Sequence, residues 1–450
     1  MTEATIRDTR FFGHPLGLGV LAGTELWERF SFYGMQAILM LYMTKYLLRP
    51  DVAPQVWGLA WFRGVFGGHG DVALAAQTFG LYSGLLYAAP LAGAWLGDGR
   101  LGKTRAVTAG ALLMTAGHFA MAAVPLFLFA LSLIITGAGL VIGNLQAQVG
   151  DLYDLADERR TRAFAIYLIA LNVGALFAPL VVGTLGEKVG WHWGFGAAGV
   201  GMLVALVTYL SGRRHLAPER CGPRLHRAPL TGGDRRAIAG ILLVLLPYIL
   251  VSAACQQAYG IMFVWADAAV AHRVLGWTVP ITWLGVADGL MTIFGCWLAA
   301  SIWKRTAARG SEPTDIAKLG IGCALQAMAF LYIALWARTP MVPMLALLGF
   351  YLIQDIAIGW FEAPTAALVS RNAPRALIAT MMAVFKAASA ASYFLLGWLA
   401  RFWESLGPSL YWALNGGLAL TGLIAILVFG GRVARLLDGN DTARIVTVPT

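Results

Sequence analysis

Apolar residues run along this chain in long, nearly unbroken stretches. Each is about the length a bilayer-crossing helix needs, roughly 20 residues. Twelve are legible, near 16–47, 77–97, 105–125, 127–150, 162–185, 192–212, 237–266, 278–303, 316–337, 341–370, 376–402 and 409–433. Most connections between them are short, so successive helices are expected to be antiparallel. Two are longer, 48–76 and 213–236, and the second is rich in Arg, Gly and Pro and falls near mid-chain. The pattern predicts an all-α integral membrane protein. Its two six-helix bundles are 1–212 and 237–450, with 213–236 as a basic linker and a short tail at the end.

Composition narrows the class. Of 450 residues, 59% are hydrophobic and 12% charged, and the mean hydropathy is +0.70. Soluble domains carry about 25% charged residues. An ordinary soluble enzyme, a disordered chain and a disulfide scaffold are excluded. The net charge of +10 invites a nucleic-acid reading, but the positions of the charges argue against it. With the N-terminus inside, 24 of the 33 Lys and Arg residues fall in cytoplasmic segments. Outer loops hold Arg49, Arg63, Lys188, Arg273, Arg338 and Arg401, and spans hold Arg29, Lys45 and Lys386. That bias is the positive-inside pattern and predicts both termini in the cytoplasm. The first apolar run, from about Leu16 to Leu48, is too long for the core of a cleavable signal peptide.

Cys221, Cys255, Cys296 and Cys323 show no paired spacing, hence neither a metal knuckle nor a disulfide framework is expected. Gly97–Thr104 reads GDGRLGKT and matches the Walker A pattern. A phosphate loop follows a strand in an α/β domain, whereas this one joins two apolar spans. Gly93-Ala-Trp-Leu-Gly-Asp98, followed by Arg100, Gly102 and Lys103, is similar instead to the helix two–three turn of the major facilitator superfamily. Asp98 and Arg100 are then candidates for a conformational latch.

The first span carries Glu25, Glu28 and Arg29. Charges at mid-membrane are costly and must pair or face water. The i,i+3 and i,i+4 spacings place all three on one side of a helix. Two acids and one base in a poorly solvated place have the makings of a proton relay, or of a permanent ion network tying helices together.

Here the chain resembles a known family. Phe12-Gly-His-Pro15, the ExxER pattern at Glu25, Glu28 and Arg29, and Tyr33-Gly34-Met35 are similar to the proton-coupled oligopeptide transporters of the major facilitator superfamily. The likeness continues through Leu96-Gly-Asp98, Asn172-Val-Gly174-Ala-Leu, Pro179, Gly190-Trp-His-Trp-Gly-Phe-Gly196 and Gly199-Val-Gly201-Met202. It covers about residues 11–202. The second half matches loosely, at Gln257, Ala266-Asp267, Pro364 and Gly397-Trp398-Leu399-Ala400. The resemblance implies the major facilitator fold, peptide uptake driven by protons, and a bacterial inner membrane.

Several of the family's charged groups are replaced. The basic residue after the helix-one tyrosine pattern is Gln36, and the helix-four lysine is Ile142. The helix-five tyrosine aligns with Leu168, beside Tyr167. The helix-seven acid is Gln256 and the helix-ten glutamate is Gly359. A zwitterionic dipeptide needs a counter-charge at each end in a buried site, so ordinary dipeptide recognition is not simply inherited. New charges stand elsewhere, as further candidates for the substrate cavity: Asp288 in the eighth span, Asp355 and Glu362 in the tenth, Lys386 in the eleventh. For Asp288, binding a proton or snorkelling through a water path are open alternatives to cavity lining, and Asp355 stands similarly. Glu362 and Lys386 are about 13 and 16 Å from the cytoplasmic ends of their spans at 1.5 Å per residue. They are expected to form a substituted charge site or a buried ion pair. Tyr33, Gln36, Asn172, Gln256 and Gln257 are candidates for a cavity lining, or for polar contacts between helices.

The reading is a secondary transporter, monomeric in membrane lipid, with protons as coupling ion and no other cofactor. Its substrate is a small molecule, a peptide or something peptide-like, with no nucleic acid involved. Three alternatives stay open: a facilitator that moves a non-peptide metabolite or drug, a non-transporting peptide sensor, and a membrane enzyme. The last has no metal cluster, nucleophile–base motif or redox pair to support it.

Overall fold

The computed structural model describes residues 9–66, 70–98, 101–154, 157–218, 231–274, 276–374 and 377–438. These form helices with only four two-residue strands among them. They divide into two compact units, one comprising Met1–Pro223 with Val274–Val286, the other Arg224–Arg273 with Ala287–Thr450.

The first unit holds α1 (Leu16–Tyr42), the short α2 (Leu59–Phe66), α3 (Asp71–Asp98), α4 (Lys103–Ala120), α5 (Phe127–Asp151), α6 (Arg159–Ala178) and α7 (Trp191–Gly212). Lipid tails offer no hydrophobic drive for one helix to leave them for another, so spanning helices associate through close packing at small residues. A Cβ on Gly93 would lie 1.9 Å from the Gly139 carbonyl oxygen, and one on Gly174 would lie 2.1 Å from that of Leu26. These positions bring α3 against α5 and α6 against α1. Asn144 adds a hydrogen bond from Nδ2 to the Gly93 carbonyl, 3.0 Å. Pro179 does not end α6. The chain continues through wide turns, Pro179–Gly183 and Leu185–Val189, and stops at Gly190. The Glu187 carboxylate there accepts from the backbone N–H groups of Ile281 and Thr282, at 3.1 and 2.9 Å. Trp283 donates to Thr184, 2.9 Å. That clasp is what places the segment Val274–Val286 in the first unit.

The second unit holds α8 (Gly232–Cys255), α9 (Ile261–Ala269), α10 (Leu284–Ala308), α11 (Asp315–Trp336), α12 (Met344–Asn372), α13 (Ile378–Leu399) and α14 (Trp403–Asp438). The span expected at 237–266 is broken. After Cys255 the chain tightens into a 3₁₀ turn, Gln256–Tyr259, and leaves helical geometry at Gly260. The Ala258 carbonyl freed by this break accepts from the Tyr351 hydroxyl, 3.1 Å. Within α14, Gly407 takes φ 69°, open to glycine, and Pro408 follows, so the helix is two pieces meeting at a kink. A buried apolar core runs through Val244, Tyr248, Leu319, Cys323, Phe361, Leu368, Phe385 and Leu437. Val270 and Ala271 pair in parallel with Val342 and Pro343.

Among the described residues, nine segments are long and apolar enough to cross a bilayer, the last of which, Thr380–Leu437, contains both α13 and α14. α1 falls outside this set because polar residues, Glu25, Glu28, Arg29 and Gln36 among them, run along it. α4 falls outside because it opens with Lys103 and Arg105.

Candidate functional site

In the first unit the site is built on α1. Glu25 is 3% exposed, Glu28 0% and Arg29 8%, a depth at which unpaired charge would not persist. Arg29 Nε donates to Glu28 Oε2 at 2.5 Å and lies 3.1 Å from Glu25 Oε1. Its guanidinium also stacks over the Phe32 ring, 4.7 Å from the centroid. From α6, Tyr167 donates its hydroxyl to Glu25 Oε2. The approach of Gly174 to the Leu26 carbonyl holds α6 close enough for that bond. Glu28 Oε1 and Arg29 Nη2 are buried without a hydrogen-bond partner among the described residues. The cluster therefore keeps one carboxylate oxygen and one N–H group unsatisfied, at an interface between helices.

Sequence comparison pointed to Leu168, which is 53% exposed, whereas Tyr167 is the residue that faces Glu25. One residue on a helix turns a side chain by about 100°, which separates the two outcomes. Gln36 is buried and Tyr33 half-buried on the same helix. Asn172 stands apart, exposed, with its amide returned to the Leu168 carbonyl at 2.8 Å.

The turn between α3 and α4 is preceded by a helix, not a strand. Arg100 and the side chain of Asp98 lie outside the described residues. What the structure describes beside them is an ion pair from Lys103 Nζ to Asp151, 2.7 Å. Gln148 also donates to the Tyr209 hydroxyl, 2.9 Å. Close by in sequence, His14 Nδ1 meets Tyr153 Oη at 2.9 Å, and Arg159 pairs with Asp157 at 2.9 Å. The Arg159 hydrogen bond and charge hold the Asp157 carboxyl below its ordinary range. Burial, with the Arg159 and Arg162 charges, pushes the His14 imidazole down.

In the second unit, Glu362 accepts from Tyr248 Oη at 2.8 Å, and the same hydroxyl meets Ser389 Oγ at 2.9 Å. Lys386 is exposed, with its ammonium 5.8 Å from the Phe385 ring centre. Among the described residues no ion pair joins it to Glu362, and its charge acts there across a longer gap. A tyrosine thus occupies the contact expected of the lysine. Gln256 accepts from Tyr393 Oη, 2.9 Å. Gln257 is fully buried and donates to Tyr411, 2.8 Å, so its amide ties α14 to the break after α8. Asp288 on α10 accepts from Tyr259 at 2.5 Å. Asp355 on α12 accepts from Thr292 at 3.1 Å. Gly359, where the resemblance called for a glutamate, lies against α10, a Cβ there falling 3.0 Å from the Gly295 carbonyl oxygen. The exchange loses a carboxyl and gains close helix packing.

A helical membrane protein with an acid–base cluster on its first helix is the class these observations define. The model of the POT family matches residues 104–224 and 230–405. The chain belongs to the POT family. An uncharacterized transporter of Bacillus subtilis, YclF, is 27% identical over 93% of this chain and 94% of its own length. A di-/tripeptide transporter of Lactococcus lactis is 38% identical over 54% of this chain and 46% of its own. The crystal structure of a POT peptide transporter, a point mutant in complex with alafosfalin, superimposes with a TM-score of 0.85, at 27% identity, over 96% of this chain and 98% of that one. The chain therefore has the major facilitator fold of these transporters and is an integral membrane protein. Its relatives are transporters and not enzymes.

Proposed function

We propose that this protein is a proton-coupled symporter of peptides or peptide-like molecules, with atypical substrate-binding residues. It works by alternating access between two six-helix bundles, twelve spans in all, with both termini in the cytoplasm of a bacterium. The observation that carries the reading is the buried Glu25–Glu28–Arg29–Tyr167 cluster. Its charges balance within one turn of α1 except for one acid, and two of its polar atoms find no partner among the described residues. Adding a proton to such a cluster changes which of its bonds are worth making. That is the property a coupling site needs.

Family membership and the peptide transporters among the relatives support the peptide class. The neutral residues at 36, 142, 256 and 359 favour, within it, ligands with fewer charged ends: blocked, conjugated or larger peptides. In the second unit Glu362, Tyr248, Lys386 and Gln256 are the side chains we assign to ligand recognition. The test is uptake from a mixed pool of free and end-blocked di- and tripeptides into proteoliposomes, read by mass spectrometry, with and without an inside-alkaline gradient. Gradient-dependent accumulation favouring the blocked peptides is expected. A folded protein that accumulates neither kind would sink the peptide reading.

A further inference from the structure

Beyond the α1 cluster, the second unit buries two aspartates that pair with no base among the described residues. Asp288 is 7% exposed and Asp355 0%. They come from α10 and α12, 67 residues apart in sequence, and their carboxyls meet within hydrogen-bonding reach. Three features hold them there. Gly295, two turns after Asp288, lets α10 touch α12: a Cβ on it would lie 2.4 Å from the Asp355 carbonyl oxygen. Thr292, one turn after Asp288, donates to Asp355 Oδ1 at 3.1 Å. Tyr259, in the 3₁₀ turn that breaks α8 from α9, donates to Asp288 Oδ2 at 2.5 Å. One buried oxygen, Asp355 Oδ2, receives no hydrogen bond from any described donor.

Among the described residues the groups around the pair do not include a cation. Cys255 faces it from α8, Tyr259 from the turn, Cys296 from α10, and Tyr351 from α12. Among the described residues no Lys, Arg or His acts on either carboxyl. Two carboxylates in contact, in a site with no counter-charge, repel strongly. A single proton between them turns the repulsion into a hydrogen bond and supplies the donor that Asp355 Oδ2 lacks. Broken helices are where transporters of this architecture place ion-handling groups, and Tyr259 sits in such a break.

We propose that Asp288 and Asp355 form a proton-binding site of the second unit, one proton being shared between the two carboxyls. The site is separate from the α1 cluster and independent of which substrate is carried. It takes its proton from water and returns it when α10 and α12 part or Tyr259 moves away. It is not part of the ligand-recognition set.

The full-length protein, in lipid nanodiscs with its aspartate side-chain carboxyls carbon-13 labelled, is titrated with acid and base. The C=O stretch of protonated carboxyls is followed by infrared difference spectroscopy. The expected result is one label-sensitive band, worth one carboxyl per protein, that persists in Glu25→Gln and is lost in both Asp288→Asn and Asp355→Asn. Choline chloride and sodium chloride at the same pH should give the same band. The absence of any label-sensitive band in the wild-type protein would overturn the proposal, even if neither variant folds. So would a band that survives Asp355→Asn, or one erased by sodium, which would make the pair a sodium site. The measurement needs no transport, so it stands or falls apart from the symport reading.

Discussion

In the first unit three ionisable side chains occupy one turn of α1, and Arg29 lies between the two acids, 3.1 Å from Glu25 and 2.5 Å from Glu28. In the second unit the acids are spread over α10 and α12, and hydroxyls meet them: Tyr259 and Thr292 at the aspartates, Tyr248 at Glu362. The first arrangement sets one guanidinium beside both acids on the same helix. The second has no cation in contact among the described residues, so its acids depend on protons, hydroxyls or a ligand for balance. A buried carboxyl can thus be accommodated by a guanidinium four residues along the same helix, or by groups that only tertiary packing brings to it.

The comparison breaks most sharply at the cations. Arg29→Gln leaves Glu25 and Glu28 buried without their partner and should destabilise the protein by about 3–5 kcal/mol. Lys386→Gln removes an exposed charge that is in no ion pair among the described residues and should change stability by about 0.5 kcal/mol or less. Thermal unfolding of both variants in the same detergent decides it, and equal losses would dissolve the distinction. Next is Tyr167→Phe, which takes a hydrogen bond from a carboxylate and should cost about 1.5–3 kcal/mol by the same assay. Third is helix contact. Gly174→Ala and Gly295→Ala each force a methyl against a backbone carbonyl and should cost about 1–3 kcal/mol. The second should in addition weaken the infrared band of the aspartate pair. If Gly295→Ala leaves that band unchanged, the close contact is not what holds the pair.

The smallest effect lies at the start of α1. His14 is held below its ordinary range, so the folded state favours its neutral form. Its contribution is full above about pH 6.5 and is lost as pH falls through the lower folded value. Asp157 is depressed too, so its contribution fails only further into acid. Amide exchange over residues 11–17, corrected for its intrinsic pH dependence, should quicken by about two-fold between pH 7 and pH 5. His14→Gln should abolish that change.

The sequence made the apolar spans readable because each is long and sharply bounded, and it made the α1 trio readable because i,i+3 and i,i+4 spacing is local. Other features depend on contacts that spacing does not encode. The break at Gln256–Gly260 lies inside an apolar run with no proline at the break. Tyr167 and Leu168 differ by one position, and only the packing of α6 on α1 through Gly174 shows which faces Glu25. Spacing leaves Gln257 open between a cavity lining and a contact between helices, and it is Tyr411, 154 residues away, that takes up its amide. Asp288 and Asp355 were each visible as intramembrane acids, but their meeting rests on glycine contacts between α10 and α12.

The most direct test of the account compares two transport modes in proteoliposomes. A pH gradient drives net accumulation, whereas counterflow exchanges internal for external substrate with no net proton movement. For whichever peptide the uptake screen identifies, Glu25→Gln should abolish gradient-driven accumulation and retain counterflow. A Glu25→Gln protein that accumulates substrate against a gradient as the wild type does would contradict the assignment of proton coupling to the α1 cluster.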